Sequence, residues 1–198
     1  MTIIKCHIFN MDKDKEFLNK YWQEYERLII KGRDDSKIIS FRDAIKDTIR
    51  ANGKLYFVGN GASASLCSHA ATDFTKQAKI ESHAFNDHNF ITALANDYGY
   101  ENWVSKAIKY YVKPCDRVIF ISVSGNSPNL VKGLKYAKKE KIPNASLTGS
   151  NANNYLNINS DCSIWVDSKS YNIVESIHTI YLTLIIDLFI GKTTYSVN

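Results

Sequence analysis

The chain of 198 residues is long enough to bury a substantial core in one domain, and its hydrophobic share of 44% and charged share of 23% are ordinary for a soluble globular protein. The net charge of +5 arises from scattered lysines without a basic run or zinc-finger spacing, which disfavours a nucleic-acid partner but suits an anionic small substrate. Four widely spaced cysteines predict reduced thiols, and the amino terminus has no signal-peptide cleavage pattern, so we expect a cytoplasmic protein.

The first part of the chain has the periodicity of helices. Over residues 11–31, aromatic and aliphatic side chains recur at helical spacing, and Gly32 is expected to end this helix. Ser36 is expected to cap a second helix over 37–51. The predicted organisation is a single domain over 1–198, with a helical segment over about 1–51 and an α/β core over about 52–192.

Short apolar runs then alternate with helical stretches. The runs begin KLYFV, RVIFI, NASLT and CSIWV, and each precedes a polar loop and a helix. Nearly all-apolar strands that alternate with helices indicate a parallel sheet covered on both faces. The last apolar segment, 177–190, is too short to span a bilayer and contains Asp187, so we expect a buried helix at the core or at a subunit interface, and no membrane partner.

Two of the strand-to-helix loops are rich in glycine and serine: GNGASAS at 59–65 and SVSGNS at 122–127. Helix N-termini with serine hydroxyls form anion sites, and such loops lie at the carboxyl ends of the strands. Neither loop has the P-loop or the G-x-G-x-x-G pattern, which disfavours ATP and NAD. The loops therefore favour phosphate binding, although serine and glycine at these positions also serve simply as helix caps.

The segment HAATDF, residues 69–74, follows the first of these loops. His69 and Asp73 lie four residues apart, which places both side chains on one face of a helix. The pair suits half of a metal or acid/base site, and it equally suits two ordinary residues on the flank of a buried helix.

The strings VGNGASAS, HAATDF, ALANDYGYE, ISVSGNSPNLVKGLKYAKK and LTG, in this order, resemble the sugar isomerase (SIS) family. Within that family the chain is most similar to phosphoheptose isomerases, over about residues 11–190. The resemblance implies a flavodoxin-like αβα sandwich and a homotetramer with active sites between subunits. It also implies aldose–ketose interconversion of sedoheptulose 7-phosphate or a related sugar phosphate, in the synthesis of heptose precursors for lipopolysaccharide or capsule.

The resemblance further implies which residues contact the sugar phosphate. They lie in the two serine loops, in the ANDYG segment and on the last helix: Asn60, Gly61, Ser63, Asp97, Ser122, Ser124, Asn126, Ser127 and Glu175. Val123 stands where the family loop often has threonine, which removes one hydroxyl.

In phosphoheptose isomerases, a His-x-x-x-Glu motif and a Gln and His eight residues apart bind zinc, and the Glu and the last His act as base and acid. Here His69 matches the first histidine, Asp73 replaces the Glu, and Glu175 replaces the Gln. The resemblance thus implies zinc on these three residues, with Asp73 as the base.

The last helix departs from the family pattern at the catalytic histidine. Thr183 replaces it and is no acid near neutral pH, so His178, five residues away, is the candidate substitute. The alternative is a SIS module without isomerase activity that binds phosphosugars or proteins, like relatives that bind the replication initiator.

Overall fold

The computed structural model describes residues 11–194, which divide into two compact units at Arg33 and Asp34. The first unit contains helix α1, Met11–Tyr25, which continues as a π-helical turn over Glu26–Lys31. Aromatic rings stack along it, with the ring centroids of Tyr21 and Tyr25 5.3 Å apart. The helix predicted over 11–31 is thus confirmed, with a widened last turn.

The second unit is built from parallel strands that alternate with helices. Its strands are β1 (Leu55–Gly59), β2 (Ser82–Ala84), β3 (Arg117–Ser122), β4 (Asn144–Thr148) and β5 (Cys162–Trp165). Its helices are α2 (Asp35–Arg50), α3 (Ala62–Lys76), α4 (His88–Tyr98), α5 (Trp103–Tyr111), α6 (Pro128–Lys139), α7 (Tyr155–Asn159) and α8 (Tyr171–Ile190).

The strands form one fully parallel sheet in the order β2-β1-β3-β4-β5. This is the flavodoxin-like order, in which the direction of winding reverses between β1 and β3. All residues of β1, β3 and β4 are buried, because helices cover both faces of the sheet. The predicted αβα sandwich is confirmed. The edge strand β2 was not predicted, since its three residues include polar Ser82 and His83 and form no apolar run.

Helix α2 differs from its prediction at both its cap and its packing. The prediction of Ser36 as the cap is wrong: the Asp34 carboxylate accepts hydrogen bonds from the backbone N–H groups of Ser36 and Lys37, at 3.0 and 3.1 Å. Ile38, Phe41 and Ile45 are buried, and α2 packs on β5 and α8. The helix therefore belongs to the second unit, although the expected boundary lay near residue 51.

Helix α8 is long and apolar enough to cross a membrane by length and composition alone. Its buried residues, however, fall in adjacent pairs that repeat every four residues, from Ile173 and Val174 to Ile185 and Ile186. This stripe faces the sandwich, as in the core helix of a globular domain. The expectation of a buried last helix is confirmed, and the helix begins at Tyr171, six residues before the segment that predicted it.

Candidate functional site

The serine loops that follow β1 and β3 meet at the carboxyl edge of the sheet, where the strand order reverses. They surround a small cavity of about 80 Å³. The lining comes from the first loop, the second loop and the start of α8: Asn60, Ser63, Ile121, Ser122, Val123, Ser124, Ser127, Tyr171 and Glu175. The topology thus brings together two loops that lie about 60 residues apart in the sequence.

Two helix N-termini flank this cavity and make it suitable for an anion. Helices α3 and α6 both begin at it, and neither has an acidic residue in its first turn. Their positive ends therefore face the cavity, and the carboxylate in its lining, Glu175, comes from α8 instead. The hydroxyls of Ser63 and Ser127 make no hydrogen bond within residues 11–194 and are available to a ligand. The arrangement is suited to a phosphate group.

The second loop is held rigidly by its own hydrogen bonds and by α7. The hydroxyl of Ser122 accepts a hydrogen bond from the Gly125 backbone N–H at 3.1 Å. The Asn126 side-chain oxygen accepts one from the backbone N–H of Tyr155 at 2.9 Å. Asn126 was predicted to contact substrate, but the structure gives it this bracing contact and does not place it in the cavity lining.

A pair of amides ties the two loops together. Asn60 and Asn129 each donate from the side-chain nitrogen to the other's oxygen, at 3.0 and 2.9 Å, and Tyr100 donates to the Asn60 oxygen at 3.2 Å. Asn129 is buried at the start of α6. The sequence analysis missed it because nothing in the local sequence shows that residue 129 lies opposite residue 60.

A groove of about 530 Å³ runs from the cavity between α3 and α8. Its lining is Ala62, Ser63, Ser65, Leu66, His69, Asn172, Glu175, Ser176 and Thr179. Ser63 and Glu175 line both spaces and mark their junction. His69 lies six residues along α3 from Ser63, or about 9 Å at the rise of a helix. An elongated ligand with an anionic end therefore fits the combined space.

The His69–Asp73 pair predicted from the sequence is present on α3. The Nε2 atom of His69 lies 3.2 Å from Oδ2 of Asp73; the imidazole side chain is 59% exposed and the carboxylate side chain only 17%. The carboxylate is thus directed at the histidine. Asp73 lines neither the cavity nor the groove.

The three predicted zinc ligands do not fit a metal ion within this chain. No group of three or more His, Cys, Asp or Glu side chains over residues 11–194 is placed to hold one. His69 and Asp73 pair with each other, while Glu175 faces the cavity junction. The zinc set implied by the resemblance is therefore not brought together among the described residues of this chain.

Two further predicted contact residues do not line the site. Asp97 lies near the end of α4, and its carboxylate accepts a hydrogen bond from the Asn96 side chain at 3.0 Å. Gly61, with φ +56° and ψ −128°, contributes the turn that leads β1 into α3. Conversely, the lining includes Tyr171 and Asn172, which the sequence analysis missed. Their position after the CSIWV strand was the only feature of the sequence that could have indicated them.

His178, the candidate substitute acid, is completely buried. Its Nε2 atom lies 3.1 Å from the backbone oxygen of Thr148, and its Nδ1 atom has no partner among the described residues. Nε2 is therefore the protonated nitrogen and donates to the carbonyl. The side chain faces the sheet rather than the groove, so its placement argues against the acid role.

Burial lowers the pKa of His178 to about 4, which makes the protein sensitive to acid. Because the folded-state pKa lies below that of an unfolded histidine, the unfolded chain binds the extra proton between these values, and stability falls as the pH drops from about 6.5 to 4. We expect this histidine to account for a loss of about 3 kcal/mol. Urea denaturation of His178→Gln at several pH values should show a flatter dependence in this window, whereas His88→Gln, at an exposed position, should follow the wild type.

A larger cavity, of about 630 Å³, lies elsewhere, at the β2 edge of the sheet. Aromatic side chains dominate its lining, including Tyr56, Phe85 and Tyr111. The carboxylate of Asp87, in its lining, already accepts the Phe90 backbone N–H as the cap of α4, at 2.8 Å. The smaller cavity is the better candidate because the polar groups there converge on one point and the helix N-termini face it.

Comparisons with known sequences identify the family of the chain. The sequence profile of the SIS domain matches residues 20–149. A phosphoheptose isomerase of Maridesulfovibrio salexigens is 31% identical over 169 residues, which cover 82% of this chain and 78% of the relative. One of Akkermansia muciniphila is 32% identical over 138 residues, which cover 67% of this chain and 72% of the relative.

A solved structure of a phosphoheptose isomerase from Francisella tularensis has the same fold, with a TM-score of 0.83. The match covers 93% of this chain and 100% of that one, at 20% sequence identity. The sandwich and the loops at its carboxyl edge are thus those of a known architecture.

Proposed function

The chain belongs to the SIS domain family, with phosphoheptose isomerases among its relatives, and on that premise we propose that it is a phosphosugar isomerase. The substrate is sedoheptulose 7-phosphate or a related sugar phosphate, and the product feeds heptose precursors of lipopolysaccharide or capsule. The observation that carries the proposal is the phosphate-sized cavity between two serine loops, opening into a groove lined by His69 and Glu175.

The two ends of the site have separate tasks. The positive ends of α3 and α6, with the hydroxyls of Ser63, Ser124 and Ser127, bind the phosphate at the cavity. The groove then holds the carbon chain with its reacting end toward His69. Aldose–ketose interconversion through an enediol needs one group that removes a proton from carbon and one that protonates the carbonyl oxygen. The groove offers His69 and Glu175 for these steps, and Asp73 contacts His69 from outside the lining.

The proposal includes a cytoplasmic homotetramer in which neighbouring subunits complete the site. The exposed side of α8 supports it: Ile180, Leu184 and Leu188 recur every four residues there and are 39%, 39% and 41% exposed. Such an apolar stripe opposite the buried one suits contact with a second copy. Zinc stays outside the mechanism, because the described ligands do not form a set.

A direct assay tests the function. Wild-type protein should convert sedoheptulose 7-phosphate to an aldose phosphate, and His69→Ala should lose at least about 100-fold in rate, because a group for proton transfer is removed. Both proteins are assayed with added zinc and with a chelator, and the metal content of the purified protein is measured in parallel. His88→Ala, at an exposed position away from the groove, is the control and should keep the wild-type rate.

The second candidate, a phosphosugar-binding module without catalysis, is favoured by Thr183. Its hydroxyl donates to the backbone oxygen of Thr179 at 3.0 Å, within its own helix. Measurable binding of sedoheptulose 7-phosphate without turnover under any metal condition would establish this candidate and refute the isomerase.

A further inference from the structure

We propose that the carbon base of the isomerase is Glu175, and that Asp73, at the position of the family's base, instead positions His69 as the proton donor. This inference rests on the proposed function and names the residues that carry out its chemistry. It follows from where the carboxylates lie and what each of them contacts.

Among residues 11–194, Glu175 is the only one with a carboxylate that lines the cavity or the groove. It lines both. The side chain is half-buried, and no hydrogen bond or ion pair to its carboxylate occurs in this part of the chain. The Thr179 hydroxyl does reach this residue, but it donates to the backbone oxygen and leaves the carboxylate free. A carboxylate that faces a substrate-sized space without a partner is able to accept a proton there.

Asp73, by contrast, is already committed to a partner. Its Oδ2 atom lies 3.2 Å from Nε2 of His69, and its side chain is only 17% exposed. The shorter side chain also reaches less far than the glutamate it replaces. A carboxylate held in this way fixes the orientation of an imidazole and the position of its proton, as in other His–carboxylate pairs.

The spacing along the two helices places Glu175 beside the middle of a bound sugar phosphate. Tyr171, one turn before it, lines the cavity, and Thr179, one turn after it, lines the groove, so Glu175 lies about 6 Å from each along the axis. His69 lies about 9 Å from Ser63 along α3. The distance from Ser63 to His69 is about the length of an extended six- or seven-carbon sugar phosphate. With its phosphate in the cavity, such a ligand has its carbonyl end at His69 and within reach of Glu175.

The proton transfers balance with these two residues. Glu175 removes a proton from C1 of the ketose, the C–H electrons form the C1–C2 double bond, and the carbonyl electrons of C2 take the Nδ1 proton of a doubly protonated His69, whose Nε2 proton stays hydrogen-bonded to Asp73. The hydroxyl on C1 then returns its proton to His69 as the C1 carbonyl forms, and the double-bond electrons take the proton on Glu175 at C2. Both residues end in their starting states, and no oxidant or further reactant is consumed.

The test is the pair Glu175→Gln and Asp73→Asn, each an isosteric change that removes one negative charge. The readout is exchange of the C1 proton of sedoheptulose 7-phosphate and fructose 6-phosphate in D₂O, followed by NMR, together with turnover. Glu175→Gln should lower both rates by about 10² to 10⁴-fold, because general base catalysis is lost, while binding stays within a few-fold. Asp73→Asn should lower both rates by about tenfold and shift the pH–rate profile, since Asp73 acts only through His69.

The outcomes separate the possible roles of position 175. Glutamine is the residue that the resembling enzymes carry there, so a side chain that only contacts substrate should tolerate Glu175→Gln. Exchange within a few-fold of wild type in Glu175→Gln, with a large loss in Asp73→Asn, would overturn the assignment. Circular dichroism of both variants shows whether a loss of rate reflects unfolding, and retained sugar-phosphate binding provides a second check.

The exchange experiment also distinguishes failure of the proposed function from failure of the base assignment alone. If the wild type exchanges neither ketose, the isomerase and the base role are overturned together. If the wild type exchanges and Glu175→Gln does so equally well, only the base role is overturned.

Discussion

Ser127→Asp is expected to abolish phosphosugar binding without destabilising the protein. Ser127 lies at the N-cap of α6, lines the cavity, and makes no capping hydrogen bond with its side chain. An aspartate there is a good cap and interacts favourably with the helix dipole. The same carboxylate meets the phosphate at close range, where like charges repel by about 4 kcal/mol at an intermediate dielectric. The affinity for sedoheptulose 7-phosphate should fall at least about 100-fold in isothermal titration calorimetry, with an unchanged or higher melting temperature.

Ser127→Asn is the matched control, since it caps a helix as well as aspartate but carries no charge. It should retain affinity within about tenfold, the scale of one neutral hydrogen bond. Affinity in Ser127→Asp equal to that of Ser127→Asn would show that the phosphate does not bind between these loops. Titration with inorganic phosphate separates loss of the anion site from loss of contacts with the sugar.

Gly125→Ala is expected to destabilise the protein by about 2–5 kcal/mol and to weaken binding at the second loop. Gly125 has φ +63°, and a Cβ atom there would overlap the side-chain oxygen of Asn154. The left-handed conformation costs a residue with a Cβ about 1–2 kcal/mol, and overpacking adds about 1–3 kcal/mol. Displacing Asn154 also breaks the hydrogen bond that it accepts from the Asn157 backbone N–H, at 2.9 Å. Urea denaturation measures the free energy of unfolding.

Gly61→Ala isolates the conformational cost from the steric one. Gly61 also has positive φ, with φ +56° and ψ −128°, but no atom of residues 11–194 lies within 4 Å of the position that a Cβ atom would take there. The free energy of unfolding of Gly61→Ala should fall by about 1–3 kcal/mol, the cost of a strained backbone conformation without a clash. Equal losses in the two variants would contradict the predicted clash with Asn154.

The fold could be predicted from the sequence because its determinants are local. The strands that begin KLYFV and RVIFI are apolar at almost every position, which requires cover on both faces, and the glycine and serine residues that follow each run mark where the strand gives way to a helix. The missed strand β2 shows the limit of this reasoning. It owes its place to pairing with β1, where Tyr56 lies opposite His83, and not to its own composition.

The N-cap of α2 is a second feature that the local sequence does not determine. Asp34 and Ser36 are both good capping residues, and the local pattern does not choose between them. The structure chooses Asp34 because the helix already includes residue 35, so that the carboxylate meets the free N–H groups of Ser36 and Lys37.

The sequence by itself determined the SIS family, the parallel sheet and the two serine loops at its carboxyl edge, because strand burial, glycine turns and helix starts depend on residues close together in the chain. Only the tertiary structure decided which titratable side chains face the cavity and the groove. His178 and Glu175 lie less than one turn apart on α8, yet one packs against Thr148 and the other lines the cavity. Helical spacing shows which residues share a face, but the direction of that face depends on the packing of α8 against α3 and the sheet.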